Sequence, residues 1–385
     1  MSNSKLRVMT VFGTRPDTIK MAPVVKALRA NPQIDDLVCV TAQHRQMLDD
    51  LLELFAIKPD YDLDIMSADQ TLTQITTRVL EGMERVLKEA KPDVILVHGD
   101  TTTSTSAALA GFYAHIAVGH VEAGLRTSDR WLPYPEEMNR RLTGTIASYH
   151  FSPTSLSREH LMRENVNASD IIVTGNTVID AFIETAHRAD LPKPPRFDEV
   201  DDKRPLVVVT AHRRENHPFM REMCEAMLAI TKLPSAPQIY FPVHLSPHVK
   251  PVVHDVLANK PGVVLVEPID YAHMVAAVKA ATFVLTDSGG LQEEAPCLGK
   301  PVLVMREETE RPEGLEAGTL ELVGHSKEKI LGAATRLLGD EAEYARMARA
   351  TNPYGDGNAS ERIVAWLLAR LRQAPYPEPF GAVLS

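Results

Sequence analysis

The sequence predicts an α/β protein of two Rossmann-like domains, each a parallel sheet with helices on its faces. Short apolar, β-branched runs recur, each followed by a turn and a segment of helical period, which is the signature of βα units. The pattern starts afresh after about residue 200. Between the two series lies ADLPKPPRFDEVDDKRP, rich in proline and charge and poor in large apolar residues, the composition of a linker.

In the first half the candidate strands are Leu6–Phe12, Leu37–Thr41, Val94–Val97, Ala117–Val121 and Ile171–Thr174. In the second they are Leu206–Thr210, Gln238–Pro242, Val263–Val266, Phe283–Thr286 and Val302–Val304. A boundary near Asp190–Pro205 gives a first domain over residues 1–190 and a second over 205–357. A helix expected over Asn358–Gln373, in the closing segment 358–385, is free to pack on either domain, including back on the first.

With 385 residues, 44% hydrophobic and 24% charged, the chain exceeds the usual size of one domain and can bury ample core. Its net charge of −10, with no basic tail, argues against nucleic acid or an anionic membrane surface as main partner. An anionic ligand must therefore meet a local cluster of positive groups. The apolar run at the N-terminus is too short for a signal-peptide core, and no stretch approaches the ~18 to 20 apolar residues of a membrane span, so a cytoplasmic protein is expected. Cys39, Cys224 and Cys297 have no CxxC spacing and suggest neither a disulfide framework nor structural zinc.

In open α/β sheets ligands bind at the carboxyl ends of the strands, and polar residues cluster at those points here. After the first strand comes GTRPDTIK, with Arg15 and Lys20 near a helix N-terminus, an anion site or an ordinary βα turn with two solvated charges. LVHGDTTT and VGHVEAGLR carry His98 with Asp100 and His120 with Glu122, each pair two residues apart. If the strand geometry persists, each pair shares one face. These four are candidate metal ligands, or acid–base carboxylates backed by packed histidines. PYPEEMNRR adds Glu136 and Glu137 at a helix start, where acidic residues also serve the dipole.

In the second half, VVVTAHRREN places His212, Arg213 and Arg214 directly after a strand, to meet an anion or to pair with Glu215 and Glu222. LTDSGGLQEEA follows another strand. Ser288, Gly289 and Gly290 would let phosphates approach the backbone, Glu294 could accept from a ribose, and Arg311 lies nearby in ETERPEG. His244 stands at a further strand end. Both halves carry anion-binding elements, but the acid–base carboxylates are confined to the first, as a nucleotide diphosphate spanning a cleft would require. Asp62 and Asp64 also form a DxD.

These segments resemble the non-hydrolysing UDP-N-acetylglucosamine 2-epimerases of bacteria. GTRPDTIKMAPV, TAQHRQMLD, KPDVILVHGDTTT, GHVEAGLRT, PEEMNRRLTG, VTGNTVID, AHRREN, LTDSGGLQEEAPCLGKPVLVMR, ERPEG and NPYGDG occur in family order over nearly the whole chain. The resemblance implies a GT-B-like architecture, a homodimer, no redox cofactor or metal, and interconversion of UDP-N-acetylglucosamine and UDP-N-acetylmannosamine. By motif it implies acid–base roles for Asp100, Glu122 and Glu136, a place near the diphosphate for His212, and nucleotide binding by Arg15, Lys20, Ser288, Gly289, Gly290, Glu294 and Arg311. Gln43, His44, Gln46, Arg213 and His244 fit the pattern of an allosteric second site found in many members, although Asp69 stands where those relatives carry arginine. Asp17 replaces the usual Glu, and His217–Pro218 replace a glycine after HRREN. A hydrolysing relative, a GT-B glycosyltransferase, a metallohydrolase and a non-catalytic sensor are the alternatives.

Overall fold

The computed structural model describes residues 5–43, 45–67, 69–127 and 129–381. The chain divides into two units, one comprising residues up to Ala181 and from Gly355 onward, the other Phe182–Tyr354. Among the described residues, the first unit holds seven strands: β1 (Leu6–Phe12), β2 (Ile34–Val40), β3 (Tyr61–Asp62), β4 (Val94–His98), β5 (Ala117–Val121), β6 (Tyr149–Ser152) and β7 (Ile171–Val173). They form one parallel sheet in the order β3-β2-β1-β4-β5-β6-β7. The second unit holds β8 (Leu206–Thr210), β9 (Gln238–Pro242), β10 (Val263–Val266), β11 (Phe283–Thr286), β12 (Val302–Val304) and β13 (Leu320–Leu322), also parallel, in the order β10-β9-β8-β11-β12-β13.

Parallel strands need crossovers that bring helices to both faces, so the central strands are apolar throughout. Val94, Ile95, Leu96 and Val97 are fully buried, as are Val207, Val208 and Val209. The order reverses between β1 and β4 and again between β8 and β11, and such reversals open the crevice in which α/β proteins bind ligands. No helix among the described residues is long and apolar enough to cross a membrane.

Three strands escaped the sequence reading. β3 has two residues, β13 has three with Glu321 at its centre, and β6 interleaves His150 and Ser152 with its apolar residues. The proline-rich stretch is also more than a spacer. It belongs to the second unit, where Tyr240 Oη donates to Pro195 O at 2.9 Å, and Asp201 and Gln238 exchange hydrogen bonds of 2.9 and 2.8 Å. The chain passes from one unit to the other earlier, within the helix Thr177–Ala186.

The closing helix Ala359–Arg372 belongs to the first unit. Trp366 packs edge-on against Tyr149 and Phe151, with ring centroids 5.1 and 5.5 Å away. Asn358 offers this helix no side-chain cap, and the task falls to the buried Asp180, which accepts from Ala359 N at 3.2 Å and Ser360 N at 2.8 Å. Replacing Asp180 with alanine should cost about 1 to 2 kcal/mol and hasten amide exchange across Ala359–Arg372. Unchanged exchange there, measured by mass spectrometry, would show that packing alone holds the helix.

Candidate active site

In the first unit the site grows from the ends of β1, β4 and β5. A methyl group on Gly13 would fall 1.8 Å from Thr41 Oγ1, so only glycine lets the chain turn there into the helix Arg15–Ala30. Arg15 is exposed at its start. Lys20, further along, donates from Nζ to Glu122 Oε2 at 2.5 Å. The backbone leaves strand geometry just after β4 and β5, with φ of 60° at Gly99 and 62° at Glu122. The expected sharing of one strand face by His98 with Asp100, and by His120 with Glu122, therefore does not form.

His98 instead lies between two carboxylates, Nδ1 at 3.4 Å from Asp17 Oδ1 and Nε2 at 3.7 Å from Glu122 Oε2. His120 is wholly buried and donates from Nε2 to Gly99 O at 2.7 Å, bracing the turn that leads to Asp100. Burial pushes its pKa down to about 3, so this ring stays neutral. Burial alone would raise the pKa of Glu122, but Lys20 and then His98 outweigh it and hold the carboxyl well below its usual range. Asn176 Nδ2 donates to the same oxygen at 2.9 Å. Removing one member of such a buried pair typically costs ~3 to 5 kcal/mol, against ~1 kcal/mol or less at an exposed pair such as Arg7–Asp35. Glu122 is thus an ionised carboxylate fixed in place. Burial opposes protonation of His98, but Glu122 and Asp17 prevail and raise its pKa.

Asp100 receives Arg140 Nη2 at 2.7 Å and Nε at 3.0 Å, and its carbonyl accepts from Asn139 Nδ2 at 2.9 Å. Both donors sit on the helix Glu136–Ile146. Glu136 precedes Arg140 by one helical turn and so lies on the helix face that carries the Asp100 partner. Its Oε2 is buried without a hydrogen-bond partner. Glu137 does different work: fully buried, it accepts from Arg141 Nε at 2.8 Å, Thr127 N at 3.0 Å and Arg140 Nη1 at 3.3 Å, tying the preceding loop to the helix. The DxD is already engaged, since Arg45 grips Asp62 and Asp64 at 2.7 Å each. Among the described residues, no group of three or more His, Cys, Asp and Glu is arranged to hold a metal ion.

In the second unit β8 and β11 are paired, so the residues that follow them emerge side by side. Asp287, fully buried, accepts at Oδ2 from His212 N and Arg213 N at 2.9 Å and from Asn216 Nδ2 at 3.0 Å. Its Oδ1 lies 3.2 Å from His212 Nδ1. Burial would raise the pKa of Asp287, but the His212 side chain and the two backbone donors lower it below the usual range. The ring of His212 stacks on that of His244, with centroids 5.8 Å apart. A methyl group on Gly289 would sit 3.6 Å from Nη2 of Arg213 and 3.8 Å from Nη2 of Arg311, and one on Gly290 would sit 3.7 Å from Glu294 Oε2 and 3.9 Å from Ser288 Oγ. Ser288, Gly289, Gly290, Glu294, Arg213 and Arg311 therefore converge. Arg311 is also held by a salt bridge to the buried Glu293. The suggested pairing of His212–Arg214 with Glu215 and Glu222 is not what these carboxylates do: Glu215 lies 3.4 Å from Arg306, and Glu222 accepts from Lys327 N.

Gln43 accepts from Thr103 Oγ1 at 2.9 Å, Gln46 and Asp69 are exposed, and His44 lies outside the described residues. The sequence reading passed over Asp287 and Asn176. Asp287 had a legible signal, a carboxylate directly after the buried strand Phe283–Thr286. Asn176 had none, because its contact with Glu122 joins residues 54 apart.

A sequence model of the UDP-N-acetylglucosamine 2-epimerase family matches residues 26–368. The UDP-N-acetylglucosamine 2-epimerase of Escherichia coli K12 is 53% identical over 370 residues, covering 93% of this chain and 97% of the relative. The crystal structure of the Neisseria meningitidis UDP-GlcNAc 2-epimerase bound to UDP-GlcNAc is 46% identical, covers 94% of this chain and all of that one, and superposes with a TM-score of 0.84. The S. aureus MnaA–UDP co-structure is 44% identical, with 98% and 100% coverage and the same TM-score of 0.84. The two parallel sheets with interleaved helices are the α/β, GT-B-like fold of such proteins. By its sequence over most of its length and by its fold, the chain belongs to the UDP-N-acetylglucosamine 2-epimerase family.

Proposed function

We propose that the protein reversibly inverts carbon 2 of UDP-N-acetylglucosamine to give UDP-N-acetylmannosamine, by eliminating UDP and adding it back. The observation that carries this reading is the split between the units: ionisable carboxylates at the strand ends of the first, convergent guanidinium groups and a glycine turn at those of the second.

Carbon 2 has no adjacent carbonyl, so its proton is not acidic until the bond from carbon 1 to the diphosphate weakens. That bond breaks with both electrons going to UDP, the carbon-2 proton passes to a base, and a glycal with a double bond between carbons 1 and 2 forms. Return of UDP to carbon 1, with a proton delivered to the opposite face of carbon 2, completes the inversion. His212, Arg213 and Arg311 bind the departing diphosphate, and one well-placed donor of this kind typically contributes ~3 to 4 kcal/mol. Ser288, Gly289 and Gly290 line its approach, Glu294 receives the ribose, and Arg15 adds positive charge beside the first unit's carboxylates.

The carboxylates are separated by their surroundings. Glu122, kept ionised by Lys20, suits facing the positive charge that develops at carbon 1. Asp100 is gripped at two points by Arg140. Glu136, whose buried Oε2 has no hydrogen-bond partner, is the carboxylate we place on the proton path to or from carbon 2.

Proton NMR of UDP-N-acetylglucosamine in D2O with the purified protein tests both points. The expected product is UDP-N-acetylmannosamine carrying deuterium at carbon 2, and Glu136→Gln should lower kcat by roughly 100-fold or more with little change in KM. Accumulation of free N-acetylmannosamine and UDP would instead establish a hydrolase, and an E136Q enzyme of full activity would remove Glu136 from the proton path.

A homodimer is proposed on separate grounds. Phe112 and Tyr113 are exposed beside a cavity of about 690 Å3 lined by Leu80, Leu87, Ala110 and Ile116. Along the same face Glu81 and Glu84 precede Lys88 and Lys91, an order that complements itself when two copies meet about a two-fold axis. Sedimentation at micromolar concentration should give twice the chain mass of 42.5 kDa, and Tyr113→Glu should return it to the single-chain value. A wild-type protein that sediments as a single chain contradicts the pairing.

A further inference from the structure

We propose that Asp287 is a positioning residue for His212, fixing its ring so that Nδ1 carries a proton toward the protein and Nε2 faces the ligand. The proposal rests on the reading of His212 as the group at the departing diphosphate, and adds a residue that no motif argument above selected.

The local architecture leaves the ring little freedom. Thr210 and Thr286 are register partners in β8 and β11, their hydroxyls 2.6 Å apart, and Asp287 N donates to Thr210 O at 3.2 Å. The carboxylate therefore leaves the sheet directly under the segment Ala211–Arg213. Its Oδ2 is saturated by three donors, His212 N, Arg213 N and Asn216 Nδ2. Its Oδ1 has no well-aligned hydrogen bond, and the His212 Nδ1 atom stands 3.2 Å from it. A buried carboxylate oxygen is costly to leave unsatisfied, so the ring is drawn to present an N–H there. The neutral ring can place its one proton on either nitrogen, and this contact favours Nδ1–H.

Asp287 is itself held from behind. Asn216, fully buried, donates from Nδ2 to Met305 O at 3.0 Å as well as to Asp287, and its Oδ1 lies 2.8 Å from His325 Nε2. The stacked ring of His244 restrains His212 from the side. The side chain of His212 remains 41% exposed, enough for Nε2 to reach a ligand. Held in this way the ring keeps Nε2 turned outward, a constraint that backbone anchoring alone would not need.

Imidazole nitrogen-15 NMR of the full-length wild-type protein, with the His212 signals identified by their loss in His212→Asn, tests the geometry without relying on an altered fold. The neutral ring should carry its proton on Nδ1. In Asp287→Asn that preference should disappear, and kcat should fall roughly 100-fold or more while KM changes by only a few-fold. A wild-type ring protonated on Nε2 overturns the proposal, and so does a D287N enzyme that loses activity with the tautomer unchanged, since Asp287 would then only anchor the loop. Full activity in H212N is a separate result: it removes His212 from the reaction, and with it any catalytic purpose for Asp287, whatever the tautomer.

Discussion

Between β1 and β4, and again between β8 and β11, the chain stops building one side of a parallel sheet and begins the other. Crossovers between parallel strands are right-handed, so the connections that leave these two strands depart to opposite faces and leave their carboxyl ends uncovered. Gly13 and Lys20 follow β1, Asp100 follows β4, His212 follows β8, and Ser288 follows β11. The remaining site residues reach those points by short detours. Glu122 comes from the end of β5 through a left-handed backbone, and Glu136 comes on the helix whose Arg140 already grips Asp100.

Burial then decides which charges are fixed and which can work. Lys20–Glu122 and the donors around Asp287 hold carboxylates that would otherwise be driven neutral by their surroundings. Glu137 is similarly saturated and holds its loop. Against this background the unpartnered oxygen of Glu136 stands out, because an unsatisfied buried polar atom is destabilising and persists where it serves another purpose. Neighbouring glutamates at one helix start thus have opposite roles, one tying the loop down and the other left open.

Much of this was legible in the sequence. Apolar runs alternating with helical periods located the long strands of both sheets, because central parallel strands are buried on both faces and cannot hide among polar residues. The short strands β3 and β13 and the polar-interleaved β6 lacked that signal. At the site, residues that directly follow a strand were found by position alone, but a two-residue spacing predicts a shared face only while the chain stays extended. Gly99 and Glu122 end that condition, and His98 and His120 consequently serve different partners. Contacts such as Asn176 with Glu122 and Asp180 with Ser360 link distant segments and could not be read from either segment separately.

We propose that ligands gather at the strand ends where each sheet reverses, with the nucleotide held by the second unit. Amide hydrogen exchange with and without UDP tests it most directly. Slowed exchange concentrated in residues 211–214 and 287–294 is the result this account predicts; unchanged exchange in both segments, with protection elsewhere in the chain, would contradict it.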